Sequence, residues 1–369
     1  MTPIQPGWRR WLVRGLVSLV SLAVVLLGLE GLLRSRPTLL GDGFANGALS
    51  RYTARAGGIY YSDRQLRMHF MIPDLTTTMY ANGYVWQHGT DALGFRNRPL
   101  HVPAEVMLLG DSIVYGQGVE FPDTLGAQLE RLSGRTVANL GRQGDCAYQE
   151  AYLLTAFVDV FKPRWVFYVF SPNDIVDLYV YLSDQAMRDF VAQPVAAITY
   201  PARVEPAKAL AERERRLRRR PLLQKIEDGS YVMKMFRWLA SEVRKRRATS
   251  FQQAAITLNA PRRQADAVDV SHDPGSLGWR YTAHAIAYMH LVASRAGARL
   301  VAVSLGDRAQ SDLVRASAAR AGVAYLDARE VVEAGDSWLP RDGHLSPAGA
   351  RHLATLAADF IARDPSATR

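Results

Sequence analysis

The sequence predicts an α/β protein with a doubly wound, five-stranded parallel sheet, an N-terminal transmembrane helix and a basic helical insertion. Three observations support this prediction. A charge-free apolar run lies near the start of the 369-residue chain, short apolar runs alternate with helical patterns after residue 105, and one segment holds the excess positive charge. At 48% hydrophobic and 22% charged residues, the composition is that of a packed globular protein, and it excludes a wholly disordered, collagen-like or coiled-coil chain.

The N-terminal apolar run predicts a single membrane-spanning helix, so we expect residues 1–36 to form an anchor. No charge falls between Gly15 and Leu29, and the stretch 11–33 covers about 34 Å as a helix, enough for a hydrocarbon core of about 30 Å. More cations precede the run than follow it, which favours a single-pass protein of the cytoplasmic membrane with its remainder on the periplasmic side.

A cleaved signal peptide and a buried helix of a soluble protein are the alternatives for this run. The run is longer than a usual signal core, and no small-residue cleavage site directly follows it. An uncleaved anchor is therefore the favoured interpretation.

We predict that residues 37–104 form a short β-rich lead-in segment. The stretch is rich in tyrosine and has no long helical period, which favours short strands and turns. Residues 91–97, which read DALGFRN, lie near its end.

From residue 105 the pattern changes to alternating strands and helices. The predicted strands are 106–109, 136–140, 165–170, 299–305 and 323–326. The predicted helices are 121–132, 148–161, 281–296, 312–321 and 346–362. This alternation predicts a parallel sheet with helices on both faces, formed by residues 105–182 and 280–363. Residues 183–279 are then an insertion, basic and partly helical, and we expect little regular order between the third strand and about Trp279.

The net charge of +10, from 45 Lys and Arg against 35 Asp and Glu, raises nucleic acid or an anionic membrane as a partner. Residues 203–263 alone hold 17 basic and 6 acidic residues, a net charge of +11, so the rest of the chain is almost neutral. We therefore predict no nucleic-acid partner. The sequence does not identify a protein partner.

Within this basic segment, residues 231–243 place their apolar side chains on one side of a helix. One interpretation is a helix packed on the protein core. The other is a helix that lies on anionic lipid near the anchor, or that lines a cleft for an acidic polymer.

Polar residues follow the predicted strands at the points where the strands end. These groups lie at 110–112, 139–145, 171–174 and, before the last helix, 342–349. Because parallel strands present their carboxyl ends at one edge of a sheet, we expect these groups to converge there.

Acyl transfer is the chemistry that these residue types suggest. A histidine must accept the proton of a serine hydroxyl, since an unassisted hydroxyl is a poor nucleophile, and a carboxylate then orients the histidine. The oxyanion needs preorganised donors, each worth about 3 kcal/mol. The backbone N–H groups of Ser112 and Gly144 and the side-chain amide of Asn173 are donors of this kind. No G-x-S-x-G elbow is present, which argues against an α/β-hydrolase.

These four groups resemble the blocks of the SGNH (GDSL) hydrolase family. Residues 106–118 (VMLLGDSIVYGQG) are similar to the first block, and residues 139–145, 173–174 and 342–349 to the other three. Residues 91–97 resemble a Leu-Gly-Phe-Arg stretch that often precedes the domain in membrane-anchored bacterial members. The resemblance implies a flavodoxin-like, three-layer fold.

By this resemblance, Ser112 is the nucleophile, His344 the base and Asp342 the residue that orients it. Ser112, Gly144 and Asn173 would form the oxyanion hole. Two positions depart from the family pattern: Ser171 replaces the usual glycine of the third block, and Arg341 stands where the acid is usual. Asp336 is an alternative acid, and a Ser–His pair without an acid is a further alternative.

The resemblance implies a serine ester hydrolase acting outside the cytoplasmic membrane, removing acyl groups such as acetyl from an envelope or extracellular glycan or lipid. An O-acyltransferase using the same serine and histidine on a sugar hydroxyl is one alternative, and a catalytically silent binding module is another. The sequence shows no cofactor motif and no metal-ligand cluster, and its one cysteine, Cys146, is expected to be a buried filler.

Overall fold

A computed structural model of the protein describes residues 7–51, 58–201, 203, 205–247 and 270–364. The strands are β1 (Tyr60–Asp63), β2 (Met68–Met71), β3 (Thr76–Ala81), β4 (Tyr84–Gly89), β5 (Val106–Leu109), β6 (Val137–Asn139), β7 (Trp165–Phe170), β8 (Arg299–Ser304) and β9 (Ala324–Leu326). The helices are α1 (Gly7–Ser35), α2 (Asp42–Leu49), α3 (Ser112–Tyr115), α4 (Leu125–Ser133), α5 (Ala147–Phe161), α6 (Asp174–Tyr181), α7 (Asp184–Ala192), α8 (Pro206–Arg218), α9 (Leu222–Gly229), α10 (Tyr231–Arg247), α11 (Leu277–Arg295), α12 (Arg308–Ala321), α13 (Arg329–Glu333) and α14 (Pro347–Arg363).

The predicted five-stranded parallel sheet is confirmed. Its strands lie in the order β6-β5-β7-β8-β9, and each neighbouring pair is parallel. The chain leaves β5 in one direction to form β6 and returns to the other side of β5 to form β7. This reversal makes a topological switch point between β5 and β7, which is where ligands bind in sheets of this kind.

Side chains of the sheet alternate between two buried layers. Met107 and Leu109 lie in one hydrophobic cluster with α5 and α11, whereas Val106 and Leu108 lie in another with α4 and α14. Both faces of the sheet are therefore covered, as the near-continuous apolar strands predicted.

Helices α11 and α12 each begin four residues before their predicted start. Ser276 caps α11 and Asp307 caps α12, and each side chain accepts a hydrogen bond from the backbone N–H three residues later. These capping residues extend each helix beyond its apolar pattern.

The lead-in segment contains two antiparallel hairpins, β1–β2 and β3–β4, and the short helix α2. The sequence did not predict α2, because eight residues are too few to show a helical period. This helix buries Phe44, Ala45 and Ala48, so tertiary packing rather than pattern establishes it.

The expectation of little regular order between the third strand and Trp279 is wrong, because α6 to α10 lie in this region. In α8, pairs four residues apart, such as Glu212 with Arg216 and Glu214 with Arg218, support a helix that has little apolar surface. The last part of the basic segment, residues 248–263, lies outside the described residues.

Helix α1 has a stretch from Arg10 to Ser35 that is long and apolar enough to cross a membrane, by length and composition. Its last turns pack on the rest of the protein: Leu33 is buried in a cluster with Phe44, Ala48 and Val232. Helix α10 thus packs on α1 and α2 through one face.

Candidate active site

Ser112 is the first residue of α3, directly after β5 ends. A Cβ at Gly110 would lie 2.3 Å from Val114 Cγ2, so glycine permits this tight turn. Asp111 caps α3, because its Oδ1 accepts a hydrogen bond from the Ile113 backbone N–H at 2.9 Å. The strand-to-helix turn therefore places Ser112 at the carboxyl edge of the sheet.

His344 contacts both Ser112 and Asp342. Its Nε2 lies 2.8 Å from Ser112 Oγ, and its Nδ1 is in direct hydrogen-bond contact with Asp342 Oδ1. Arg341 and Gly343 have left-handed backbone conformations, with φ of 68° and 53°. This turn brings the carboxylate of Asp342, which is only two residues before His344, into contact with the imidazole ring.

Asp336, the alternative acid, does not contact the histidine among the described residues. Its backbone carbonyl accepts a hydrogen bond from Ser346 Oγ at 2.5 Å, at the start of α14. The structure therefore brings Asp342 rather than Asp336 to His344.

Two further side chains that the sequence analysis did not identify lie in this network. Asn82, at the tip of the β3–β4 hairpin, donates from Nδ2 to Asp342 Oδ2 at 3.1 Å. Gln117 Nε2 lies 3.4 Å from His344 Nδ1. Asn82 and Gly83 form a dipeptide typical of hairpin turns, so the sequence contained a signal for the turn but none for its partner.

Asn82 also connects the site to α2. Its backbone N–H donates to Asn46 Oδ1 at 2.8 Å, and the two side-chain amides are hydrogen-bonded at 2.5 Å. Since Asn46 lies in α2, which packs on α10 near the end of α1, the candidate acid is linked by hydrogen bonds to the part of the protein that packs on α1.

The predicted oxyanion donors lie on three neighbouring loops. Within the described residues, the Ser112 and Gly144 backbone N–H groups donate to no protein acceptor. Gly144 has φ +73°, and a Cβ there would lie 3.2 Å from Tyr181 Oη, so a side chain would crowd this position. Asn173 Nδ2 donates to Asp177 Oδ2 at 2.6 Å, which uses one of its two N–H bonds.

The loops after β5 and β7 are joined directly beside Ser112. Ser171, where the family pattern has glycine, is buried and donates from Oγ to Asp111 Oδ1 at 2.7 Å. Asp111 thus accepts hydrogen bonds from both loops and braces the turn. Serine in place of the usual glycine at position 171 therefore adds a hydrogen bond between the two loops.

The loop after β6 is held by a buried ion pair. Arg142 Nε donates to Asp145 Oδ2 at 2.7 Å, and its Nη1 donates to the His69 carbonyl in β2 at 2.6 Å. Burial raises the pKa of Asp145 to about 7, against the opposing effect of Arg142. Cys146 is buried, as the sequence predicted, and burial raises the pKa of its thiol well above its usual range.

Arg96, within the DALGFRN stretch, supports the loop that follows Ser112. Its Nη1 donates to the Gly116 carbonyl at 2.6 Å, and its Nη2 donates to the Val119 and Gln87 carbonyls at 2.8 and 3.0 Å. The buried guanidinium therefore ties the β3–β4 hairpin to residues 116–119. This gives the stretch a physical role that its sequence did not show.

No group of three or more His, Cys, Asp or Glu side chains that could hold a metal ion occurs within the part of the chain that the structure describes.

A serine, a histidine and an aspartate in contact at the switch point of a three-layer α/β sheet are the arrangement of a serine hydrolase. Residues 108–352, more than half of the chain, match the GDSL-like lipase/acylhydrolase family. The chain therefore belongs to this family and is an ester-bond hydrolase.

Several solved structures are similar to this chain. A catalytic mutant of an acetylxylan esterase from Geobacillus stearothermophilus matches over 72% of this chain and 97% of its own, at 12% identity and a TM-score of 0.35. A GDSL-like lipase from Bacteroides thetaiotaomicron VPI-5482 matches over 70% and 87%, at 12% identity and a TM-score of 0.34. The protein TesA matches over 69% and 97%, at 15% identity and a TM-score of 0.35. No curated protein matches the chain.

Proposed function

We propose that the protein is a serine esterase in which Ser112 is the nucleophile, His344 the general base and Asp342 the residue that orients the base. The observation that carries this proposal is the 2.8 Å contact between Ser112 Oγ and His344 Nε2, with Asp342 on the opposite ring nitrogen. Each group has the partner that its role requires.

In the first half of the reaction, Ser112 Oγ attacks the carbonyl carbon of the ester while His344 Nε2 accepts the hydroxyl proton. Asp342 Oδ1 accepts a hydrogen bond from Nδ1–H and stabilises the imidazolium. The oxyanion accepts hydrogen bonds from the Ser112 and Gly144 backbone N–H groups and from the Asn173 amide. The tetrahedral intermediate then expels the alcohol, which takes the proton from His344, and an acyl-serine remains.

In the second half, His344 accepts a proton from water, and the resulting hydroxide attacks the acyl-serine carbonyl. Collapse of the second tetrahedral intermediate returns the proton to Ser112 Oγ and releases the carboxylic acid. A sugar hydroxyl in place of water would make the same site an O-acyltransferase.

For location, we propose that α1 is an uncleaved, single-pass anchor in the cytoplasmic membrane and that the catalytic domain, residues 105–182 and 280–363, lies on the periplasmic side. Cations before the apolar run support this orientation. Asn46, in a helix that packs near the end of α1, is hydrogen-bonded to Asn82, which contacts the candidate acid. A site so close to the anchor suits esters, such as acetyl esters, on envelope glycans or lipids.

The test is aryl-acetate hydrolysis by the full-length protein in detergent, with fluorophosphonate labelling alongside. We expect Ser112→Ala to abolish both turnover and labelling. The matched control is Ser133→Ala, which removes a hydroxyl that donates to the Leu129 carbonyl and accepts from the Arg135 backbone N–H at the end of α4, and it should leave both unchanged. Equal turnover in Ser112→Ala, or a label on another residue, would overturn the assignment.

The same assay separates the alternatives. Acyl transfer to an added sugar in preference to water would identify a transferase. If the wild-type chain shows no turnover and no labelling, the protein is a silent binding module.

A further inference from the structure

The last turns of α1 are held by the start of α10. The Glu30 carboxylate accepts hydrogen bonds from the Ser230 hydroxyl at 2.9 Å and from the backbone N–H groups of Tyr231 and Val232 at 3.0 and 2.9 Å. Arg34 donates to the same carboxylate at 2.7 Å and to the Gly229 carbonyl, where α9 ends, at 2.7 Å. The end of α9 and the beginning of α10 are therefore fixed at the level of Glu30.

The level of Glu30 is the outer edge of the hydrocarbon core if α1 spans a membrane, so this argument rests on the proposed anchor. The uncharged stretch from Gly15 to Leu29 supplies about 22 Å of helix, less than the core of about 30 Å. The hydrocarbon core must therefore include residues beyond the uncharged stretch. Glu30, whose charge is neutralised by Arg34 and by the N-terminus of α10, lies at the boundary of the hydrocarbon core.

The rest of the protein also covers part of the anchor along one face. Exposure falls along this face from 54% at Leu22 to 37% at Leu26 and 1% at Leu33. Leu33 packs against Val232 of α10. Protein elements thus descend along the anchor to the depth of the membrane boundary.

Helix α9 presents an uncovered apolar face at this boundary. Leu222 is 73% exposed, and Leu223 and Ile226 are also exposed. The helix is about 12 Å long, so all three lie within that distance along the helix axis of Gly229, whose carbonyl accepts the hydrogen bond from Arg34. Exposed cations, among them Arg219 and Lys225, flank these residues, and this combination is typical of helices that lie in a lipid interface.

We propose that α9 is a second membrane contact, with Leu222, Leu223 and Ile226 inserted at the headgroup–acyl boundary of the outer leaflet and the flanking cations at the anionic headgroups. The contact fixes the rotation of the catalytic domain about its anchor. The molecules that cover the apolar face of α9 are the lipids of the outer leaflet that α1 crosses.

The test uses the full-length chain in vesicles of phosphatidylcholine and phosphatidylglycerol in equal amounts. An environment-sensitive fluorophore is attached at Leu223→Cys, and in a second protein at Ile226→Cys. The matched control is Gln224→Cys, an exposed position about 150° from the centre of the apolar face on the same helix. Leu19→Cys reports insertion of the anchor, and the wild-type chain, with buried Cys146, gives the labelling background.

We expect the labels at 223 and 226 to shift to the blue and to lose most of their emission when nitroxide lipids are included. The label at 224 should instead be quenched by aqueous iodide. Labels at 223 and 226 that behave like the label at 224, while the label at 19 is quenched by nitroxide lipids, would overturn the α9 contact and leave the anchor standing. A label at 19 that only iodide quenches would overturn the anchor and the α9 contact together.

Discussion

Asn82 Nδ2 donates a hydrogen bond to Asp342 Oδ2 across 3.1 Å and so joins the β3–β4 hairpin to the candidate acid, 260 positions later in the chain. The other carboxylate oxygen of Asp342 contacts His344. Asn82 therefore holds the carboxylate in the orientation in which it faces the imidazole. Part of the site comes from a segment that precedes the matched family region.

Replacing Asn82 by glycine should lower kcat about tenfold and leave KM nearly unchanged. Loss of a hydrogen bond to a charged acceptor costs about 1.5–3 kcal/mol, and about 1.4 kcal/mol in a barrier is tenfold in rate. Glycine is the appropriate substitution because Asn82 has φ +48°. Steady-state ester hydrolysis measures both constants.

The control on the same hairpin is Thr78→Ala, which removes an exposed hydroxyl that accepts from Gln87. This variant should keep the wild-type kcat. An Asn82→Gly protein with full kcat would show that Asn82 does not position Asp342.

Asp342→Asn should lower kcat by about 10³-fold or more, by analogy with the corresponding change in serine proteases, because an amide does not hold the imidazole in the required tautomer. Asp336→Asn is the matched control, since the Asp336 carboxylate does not contact His344 among the described residues, and it should retain the wild-type rate. The reverse result in the hydrolysis assay would make Asp336 the acid.

Arg96→Lys should destabilise the protein by about 2–4 kcal/mol, because a single ammonium group cannot reach carbonyls on both the hairpin and the 116–119 loop. Urea unfolding of the full-length protein in detergent measures the change. Arg98→Lys is the control: Arg98 is exposed and donates to Thr76, and its replacement should change stability by less than about 0.5 kcal/mol. Equal effects of the two substitutions would contradict the role given to Arg96.

Asp177→Asn should stabilise the protein at neutral pH and have no such effect at acid pH. Burial raises the pKa of Asp177 to about 6; the Asn173 hydrogen bond opposes this shift and the Asp111 charge adds to it. The folded state therefore binds the Asp177 proton more tightly than the unfolded state does. This contribution to stability is complete below about pH 4 and is lost as the pH rises through about 6.

The variant does not lose this stability as the pH rises. Its free energy of unfolding should therefore exceed that of the wild type by an amount that grows between about pH 4 and 6 to at most about 3 kcal/mol. Urea unfolding of both proteins across this range measures the difference. A difference between variant and wild type that is independent of pH would show that the Asp177 carboxyl does not titrate in this way.

The sequence by itself determined the sheet and its polar edge. Apolar runs such as 165–170 form strands because a strand buried on both faces needs an unbroken apolar sequence, and this pattern is local. The polar groups after these strands then had to meet at one edge, because parallel strands end on the same side. Ser112, Gly144, Asn173 and His344 could be singled out on that basis and on the family resemblance.

The tertiary structure alone decided which side chains meet across long stretches of chain. Choosing Asp342 over Asp336 required the left-handed turn at Arg341 and Gly343, and neither Asn82 nor Arg96 carries a local signal for its partner. The position of α10 against α1 and α2 was likewise decided by packing. The physical reason is that hydrogen bonds between distant residues depend on the positions of two folded segments, and periodicity specifies only the face on which each residue lies.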